Sequence, residues 1–305
     1  MDNVAHLDLA ARLGGYISAL SSIGPRHAGL PSSVTATRAF LTASLEKLGY
    51  HVEHQQYGPS PHQVNLIAEV GSDHPRSTPI LEIGAHWDTV PDSPGADDNA
   101  SGVAGLLAIA RTLAADPPPE ARRRIRLCLF AEEEVPGCPG STAHLARANE
   151  RGDLIDGAIV LEMIGYRDAA PGSQRFPETL ASLAASAGAV PAGGHLPDRA
   201  DFLAAVGDVG AEEYLTALTT AARGLGLPIL PLAVPSGASG DAARSDHASY
   251  WAAGRPGVMV TDTANFRNPH YHQPSDLPQT LDLDFATLTT RAVMGAIRVL
   301  TDDHR

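Results

Sequence analysis

Strands and helices alternate along this 305-residue sequence, and the alternation predicts an α/β protein: a three-layer α/β/α sandwich around a mostly parallel, mixed sheet. Three observations carry the prediction. Short apolar runs at residues 80–85, 157–161 and 258–261 have the length and composition of buried strands. Helical stretches rich in Ala and Leu lie between them, residues 102–115 above all. Acidic and imidazole side chains collect where strands end, the side on which open α/β sheets bind ligands.

The elements follow in order. Residues 4–20 carry apolar positions at helical spacing and predict a surface helix; 34–48 predict a second, stopped by Gly49. Residues 51–57 and 63–70 read as a strand pair with Pro59 and Pro61 in the connection. After the strand at 80–85 come a polar loop, 86–101, and the helix at 102–115, which Pro117, Pro118 and Pro119 end. Residues 124–131 predict a strand with Glu132, Glu133 and Glu134 at its end, 141–149 a helix, and 157–161 a strand ending at Glu162. Residues 179–187 suggest a short helix, and the Gly/Pro-rich stretch 188–198 a flap. Residues 201–206, 229–233 and 258–261 read as strands, 212–225 as a helix, and 283–300 as a closing amphipathic helix. No linker rich in Gly, Ser or charge divides the chain, so one domain over 1–305 is expected.

Composition narrows the function. A formal net charge of −13 argues against nucleic acid, whose phosphates need basic partners. No run reaches the roughly 18 apolar residues of a membrane helix, and the N-terminus shows no signal-peptide pattern; a cytoplasmic protein without membrane partners is the expectation. Two cysteines are too few for a disulfide framework; Cys128 reads as core, Cys138 as loop, and their pairing is open. Isolated histidines at 6, 51, 54, 62, 74, 144 and 195 read as surface groups, Arg122–Arg124 as a solvated turn, and Trp87 as packing.

Four strand ends carry candidate ligands: His86, Asp98, the run Glu132–Glu134, and Glu162. A fifth group stands at residues 268–276, with His270, Tyr271 and His272. Carboxylates and imidazoles from separate loops suit a pair of zinc-like ions, and two cations about 4 Å apart need a bridging carboxylate. Taken alone, the first loop is also compatible with a helix cap at Asn99 or Ser101.

These residues resemble a family. Gly84-Ala85-His86-Trp87-Asp88, Gly95 to Gly102, Ala131-Glu132-Glu133, Leu161 to Tyr166, Ser245-Asp246-His247 and Pro269-His270-Tyr271-His272 are similar, in order, to the blocks of co-catalytic zinc exopeptidases. That family includes bacterial zinc aminopeptidases, glutamate carboxypeptidase II and glutaminyl cyclase, and the Leu-Glu-Met-Ile-Gly-Tyr block resembles a bacterial subgroup of it. The resemblance implies two zinc ions per chain, held by His86, Asp98 as bridge, Glu133, Glu162 and His272. It implies Glu132 as general base, Asp88 orienting His86, and Tyr271 at the developing oxyanion. Asp246 and His247 would line the substrate pocket, and Arg244 could pair with a substrate carboxylate. Alternatives stay open: Asp97 for Asp98, Glu133 and Glu134 as base and ligand, and His270 for His272. Position 162 departs from the family's usual Asp by one methylene.

The implied activity is that of an aminopeptidase on short peptides. Glutaminyl cyclisation, carboxypeptidase or dipeptidase action, and a non-catalytic binding module on the same fold are the competing readings. Release of an amino acid rather than ammonia separates a peptidase from a cyclase, and loss of a ligand or base would mark a binding module.

Overall fold

The computed structural model describes residues 3–70, 75, 77–118, 122–177, 196–235 and 237–302. The predicted helix at 179–187, residues 188–195 of the predicted flap, His74 and His195 lie outside them. The strands are β1 (Val52–Gln56), β2 (Val64–Val70), β3 (Ile80–His86), β4 (Arg124–Phe130), β5 (Ile155–Glu162), β6 (Leu203–Asp208), β7 (Ile229–Val234) and β8 (Gly257–Thr261). They form one sheet in the order β1-β2-β4-β3-β5-β8-β6-β7. The centre is parallel, from β4 through β3 and β5 to β8. A hairpin, β1–β2, joins β4 antiparallel, and β6 joins β8 antiparallel with β7 parallel beside it. The sheet is therefore mixed with a parallel centre.

Central strands buried on both faces explain the apolar runs. Leu81, Ile83 and Ala85 of β3, with Ile159 and Leu161 of β5, pack on one face. That face is covered by α1 (Asn3–Ile23), α2 (Pro31–Glu46), α3 (Gly102–Ala115), α5 (Glu212–Gly224) and α7 (Leu283–Thr301). Ile80, Phe130, Ala158 and Val160 pack on the other, under α4 (Pro139–Arg151) and α6 (His247–Ala252). Helix α3 is buried from Gly102 through Ala110, which is why it is apolar all round rather than striped. Burial of each Leu or Ile there contributes roughly 1.5–3 kcal/mol. Asp282 caps α7 by accepting the Phe285 amide over 2.9 Å. No helix among the described residues is long and apolar enough to cross a membrane.

Two sequence expectations are corrected here. His144 is not a surface group: it is buried, and its Nε2 donates to Glu82 Oε1 over 3.0 Å. Glu82, also buried, further accepts from Arg126 over 3.0 Å and from Tyr250 over 2.6 Å. Burial alone would raise the Glu82 pKa, but His144, Arg126 and Tyr250 more than offset it and hold it down at about 2. Nor is the arginine run a solvated turn. Arg123 pairs with Asp156 (2.6 Å) and Glu213 (2.7 Å), Arg124 with Glu69 (3.2 Å), and Arg122 with Glu213. These pairs bind the entry of β4 to β2, β5 and α5. Both cysteines are free thiols, Cys128 buried and Cys138 half-buried.

Candidate metal centre

The parallel strands deliver their C-terminal ends to one edge of the sheet: His86 lies opposite Phe130, and Glu162 opposite Thr261. His86 is therefore flanked on one side by the loop after β4 and on the other by the end of β5. Its buried Nε2 faces Glu162 Oε2 at 3.2 Å, Asp98 Oδ1 at 3.3 Å and Glu133 Oε2 at 3.8 Å. The other oxygen of Asp98, Oδ2, lies 3.1 Å from His272 Nε2, which also meets Glu134 Oε2 at 3.2 Å. Two groups result, His86–Glu133–Glu162 and Asp98–Glu134–His272, with ligand atoms in each within 4.8 Å of one another. Asp98 touches both.

The loop that presents Asp98 is stitched at each step. Gly95 opens it with φ 59°, and a β-carbon there would come within 2.2 Å of the Asp98 carbonyl oxygen. Asp98 and Asn99 leave helical backbone within the turn Ala96–Ser101, and the peptide between them is cis. Asp276 accepts the amides of Asp97 (2.9 Å) and Asp98 (3.1 Å). Asn99 bonds Leu161 and Met163, and Ser101 bonds Ile164, which ties this loop to the chain carrying Glu162. Arg26, fully buried, donates to the carbonyls of Trp87 (2.8 Å), Pro94 (2.7 Å) and Gly95 (2.9 Å). Burial pushes its pKa down to about 10. Trp87 is buried in the core beneath the site.

Asp97, the alternative bridge, points elsewhere, accepting from Gly165 N (2.9 Å) and Asn268 Nδ2 (2.7 Å). His270 bonds Ser275 at 2.9 Å and joins neither group. The Asp88 carbonyl lies 3.2 Å from His86 Nδ1 and its carboxylate 3.5 Å, and that carboxylate accepts the amides of Glu133 (3.1 Å) and Glu134 (3.2 Å). It thereby links the imidazole to the acidic run.

Glu132 does not enter the cluster. Its backbone has φ 59°, and its carboxylate accepts from Tyr57 (2.9 Å) and Gln63 (3.3 Å) and meets His62 at 3.1 Å. Those three residues stand in and beside the β1–β2 connection. Glu133 thus sits where the base was expected, facing the His86 group, and Glu134 stands beside His272 where Glu133 was expected.

Ser245, not singled out as a ligand partner in the sequence, donates to Glu162 Oε2 over 2.7 Å. Its only signal was membership of the Ser-Asp-His block. Asp246 is fully buried with both oxygens unpartnered, and His247 donates from Nε2 to the Ala242 carbonyl (2.8 Å) while its ring meets Trp251 edge-on. Neither lines the cavity, contrary to the expectation of a substrate-binding role for them. Tyr271 and Arg244 do line it. The Tyr271 ring stacks on His272 with centroids 3.7 Å apart. The cavity measures about 520 Å³ and runs from the acidic cluster to an apolar end at Val206, Leu232 and Met259.

The electrostatics fit a cation pair. Burial and the carboxylates of Glu162 and Glu134 push the Glu133 pKa well up, against the pull of His86. Burial and Asp98 raise Glu134 to about 7. Burial alone would lower the pKa of His86, yet the carboxylates of Glu162 and Glu133 raise it well above 6.5. His86 Nε2 and Glu134 Oε1 are buried without a hydrogen bond. Converging acids and an imidazole nitrogen left unbonded are the donor set that divalent metal ions satisfy.

The chain belongs to peptidase family M28, whose model matches residues 65–297. Within that frame it is similar to the uncharacterized protein YfbL of Escherichia coli K12, 37% identical over 233 residues, covering 72% of this chain and 65% of YfbL. It is also similar to leucine aminopeptidase 1 of Trichophyton equinum, 28% identical over 236 residues, 74% of this chain and 55% of that one. The chain spans less than two thirds of either relative. In fold it resembles the LapA aminopeptidase of Legionella pneumophila (TM-score 0.74, 21% identity, 98% of this chain and 74% of LapA). The zinc aminopeptidase BSAP of Bacillus subtilis is similar too (TM-score 0.73, 18% identity, 97% and 96%).

Proposed function

We propose that the protein is a zinc-dependent aminopeptidase that hydrolyses the N-terminal bond of short peptides. The observation that carries this reading is Asp98, whose two oxygens face two separate ligand groups. His86 and Glu162 would hold one zinc, Glu134 and His272 the other, and Asp98 would bridge them. Two bound zinc ions supply Lewis acidity toward water and toward the scissile carbonyl.

The chain's own residues do the rest. Glu133, facing the His86 group from a buried loop, takes the proton of the attacking water and later gives it to the leaving amine. Asp88 fixes both the His86 ring and the amides that orient Glu133 and Glu134. Tyr271, lining the cavity beside His272, donates a hydrogen bond from its hydroxyl to the developing oxyanion and keeps its proton. The acids at the cavity's polar end favour the ammonium of a free N-terminus. The family match and the names of the aminopeptidase relatives support the same reading.

The test is protein reconstituted with excess zinc, analysed for metal and then assayed on peptides with free and acetylated N-termini. Up to two zinc ions per chain and release of the first amino acid from free peptides alone are expected. Metal content near zero sinks the metal centre. Equal cleavage of acetylated peptides sinks the aminopeptidase, and ammonia released from N-terminal Gln with no amino acid marks a cyclase.

A further inference from the structure

Arg244 follows the turn Gly240–Ala243 and lines the cavity next to Tyr271. Its two arms are committed. Nη1 donates to Asn265 Oδ1 over 2.9 Å, and Nη2 donates to the Tyr271 hydroxyl oxygen over 2.8 Å. The guanidinium carbon lies 5.7 Å from the centre of the Tyr271 ring, whose other neighbour is the His272 imidazole, stacked at an interplanar angle of 21°. Arg244, Tyr271 and His272 therefore form one column, with Asn265 bracing its outer end. Asp241 stands 3.5 Å from Nη1, a surface pair of small energetic weight.

Donor chemistry gives this column a direction. A guanidinium carries N–H donors and no acceptor, so the phenolic oxygen must accept from Arg244 and its own proton must point away from it. Among the described residues, no side chain or carbonyl accepts that proton. The hydroxyl is left as a free donor in the cavity that the ligand residues share. A cation bonded to the oxygen also strengthens the O–H as a donor, since charge-assisted and chained hydrogen bonds polarise one another.

We propose that Arg244 is a positioning residue for Tyr271: by occupying the acceptor side of the phenol, it orients the O–H toward the reacting carbonyl oxygen. This rests on the reading of Tyr271 as the oxyanion donor. It assigns Arg244 to rate rather than to capture of a substrate carboxylate.

The experiment is a double-mutant cycle on the zinc-loaded enzyme: Arg244→Met, Arg244→Lys and Tyr271→Phe singly, then Arg244→Met with Tyr271→Phe. Peptides carry either a free or an amidated C-terminus. Loss of a whole oxyanion donor costs about 10²–10³ in kcat, so Arg244→Met is expected to cost on the order of 10-fold in kcat on both peptide types, with KM nearly unchanged. Arg244→Lys should recover part of that loss. In the Tyr271→Phe background Arg244→Met should add less than about twofold, because its route is gone. A full additional loss in that background overturns the proposal, as does an effect confined to KM for peptides with a free C-terminus. Full kcat in Tyr271→Phe also overturns it. If the wild type binds zinc yet cleaves no peptide, the peptidase reading fails instead. NMR of the isotope-labelled phenol carbon of Tyr271, assigned by Tyr271→Phe, then decides: a resonance shifted in Arg244→Met supports the pairing, and an unmoved one overturns it.

Discussion

Ser245 Oγ donates to Oε2 of Glu162 over 2.7 Å, and this bond fixes how far the carboxylate reaches into the centre. Glu162 ends β5, whose backbone is held by β3 on one side and β8 on the other. A shorter side chain cannot be followed by the strand, and metal–oxygen distances tolerate only about 0.2 Å. Glu162→Asp is therefore expected to weaken one zinc by roughly 10–100-fold, the range for disturbed ligand shells. Zinc titration measures it. Wild-type affinity for two ions in Glu162→Ala would remove Glu162 from the site.

The acidic run separates by position: Glu133 faces His86, Glu134 meets His272, and Glu132 turns to Tyr57 and Gln63. Glu133→Gln should keep zinc and lose about 10²–10⁴ in kcat, as removal of a general base does. Glu134→Gln should weaken zinc binding beside His272. Glu132→Gln keeps the acceptor oxygen for Tyr57 and Gln63 and should retain both zinc and most turnover. Metal analysis and steady-state rates of the three variants give the order. A base phenotype at Glu132 would restore the register expected from the sequence.

Acid should unfold the protein partly through Glu82. Its folded-state pKa of about 2 lies below the 4.5 of an unperturbed Glu. Its contribution is thus fully present above pH 4.5 and is lost as pH falls through 2, amounting to about 3 kcal/mol by linkage. Glu82→Gln removes the buried carboxylate that Arg126, His144 and Tyr250 share, while Arg126 keeps Glu69 and Asp153, and should cost roughly 1–3 kcal/mol near neutrality while flattening that acid transition. Chemical denaturation at a series of pH values reads both effects.

Arg26 holds the loop that carries Asp98 without meeting either ligand group. Arg26→Met strands the carbonyls of Trp87 and Pro94, each costing roughly 1–3 kcal/mol if left buried and unbonded, and takes one of two donors from the Gly95 carbonyl, which keeps the Ala100 amide. Thermal melting with and without zinc should show a lower Tm in both states. The zinc-induced rise should also shrink, because Asp98 follows the loop that Arg26 holds. An unchanged rise would confine Arg26 to folding alone.

Much of the fold was legible because burial on both faces writes itself as short apolar runs; His86 and Glu162 were legible because each ends such a run, and Asp98 and His272, which stand on loops well past a strand, through the motif blocks that hold them. The order within Glu132–Glu134 was not. Three identical residues in a row carry no pattern, and the positive φ that turns Glu132 away is matched by partners in a connection some 70 residues earlier. His144 misled for the same reason: its partner Glu82 lies on a different element, and a lone histidine in a helix gives no sign of it. Arg122–Arg124 read as a polar cluster because their acids, Glu69, Asp156 and Glu213, are scattered along the chain.

The three neighbouring strands β4, β3 and β5 carry the acidic run, the first histidine and Glu162 on their ends. Hydrogen bonding keeps such neighbours about 4.8 Å apart, whatever their side chains. The pitch of the backbone ladder thus acts as a ruler between His86 and Glu162, while Asp98, Glu134 and His272 are placed by loops outside it. Exchanging Glu162 empties one seat and leaves the loops that carry Asp98, Glu134 and His272 in place, so a variant that has lost one ion should still present the other with its full set of neighbours.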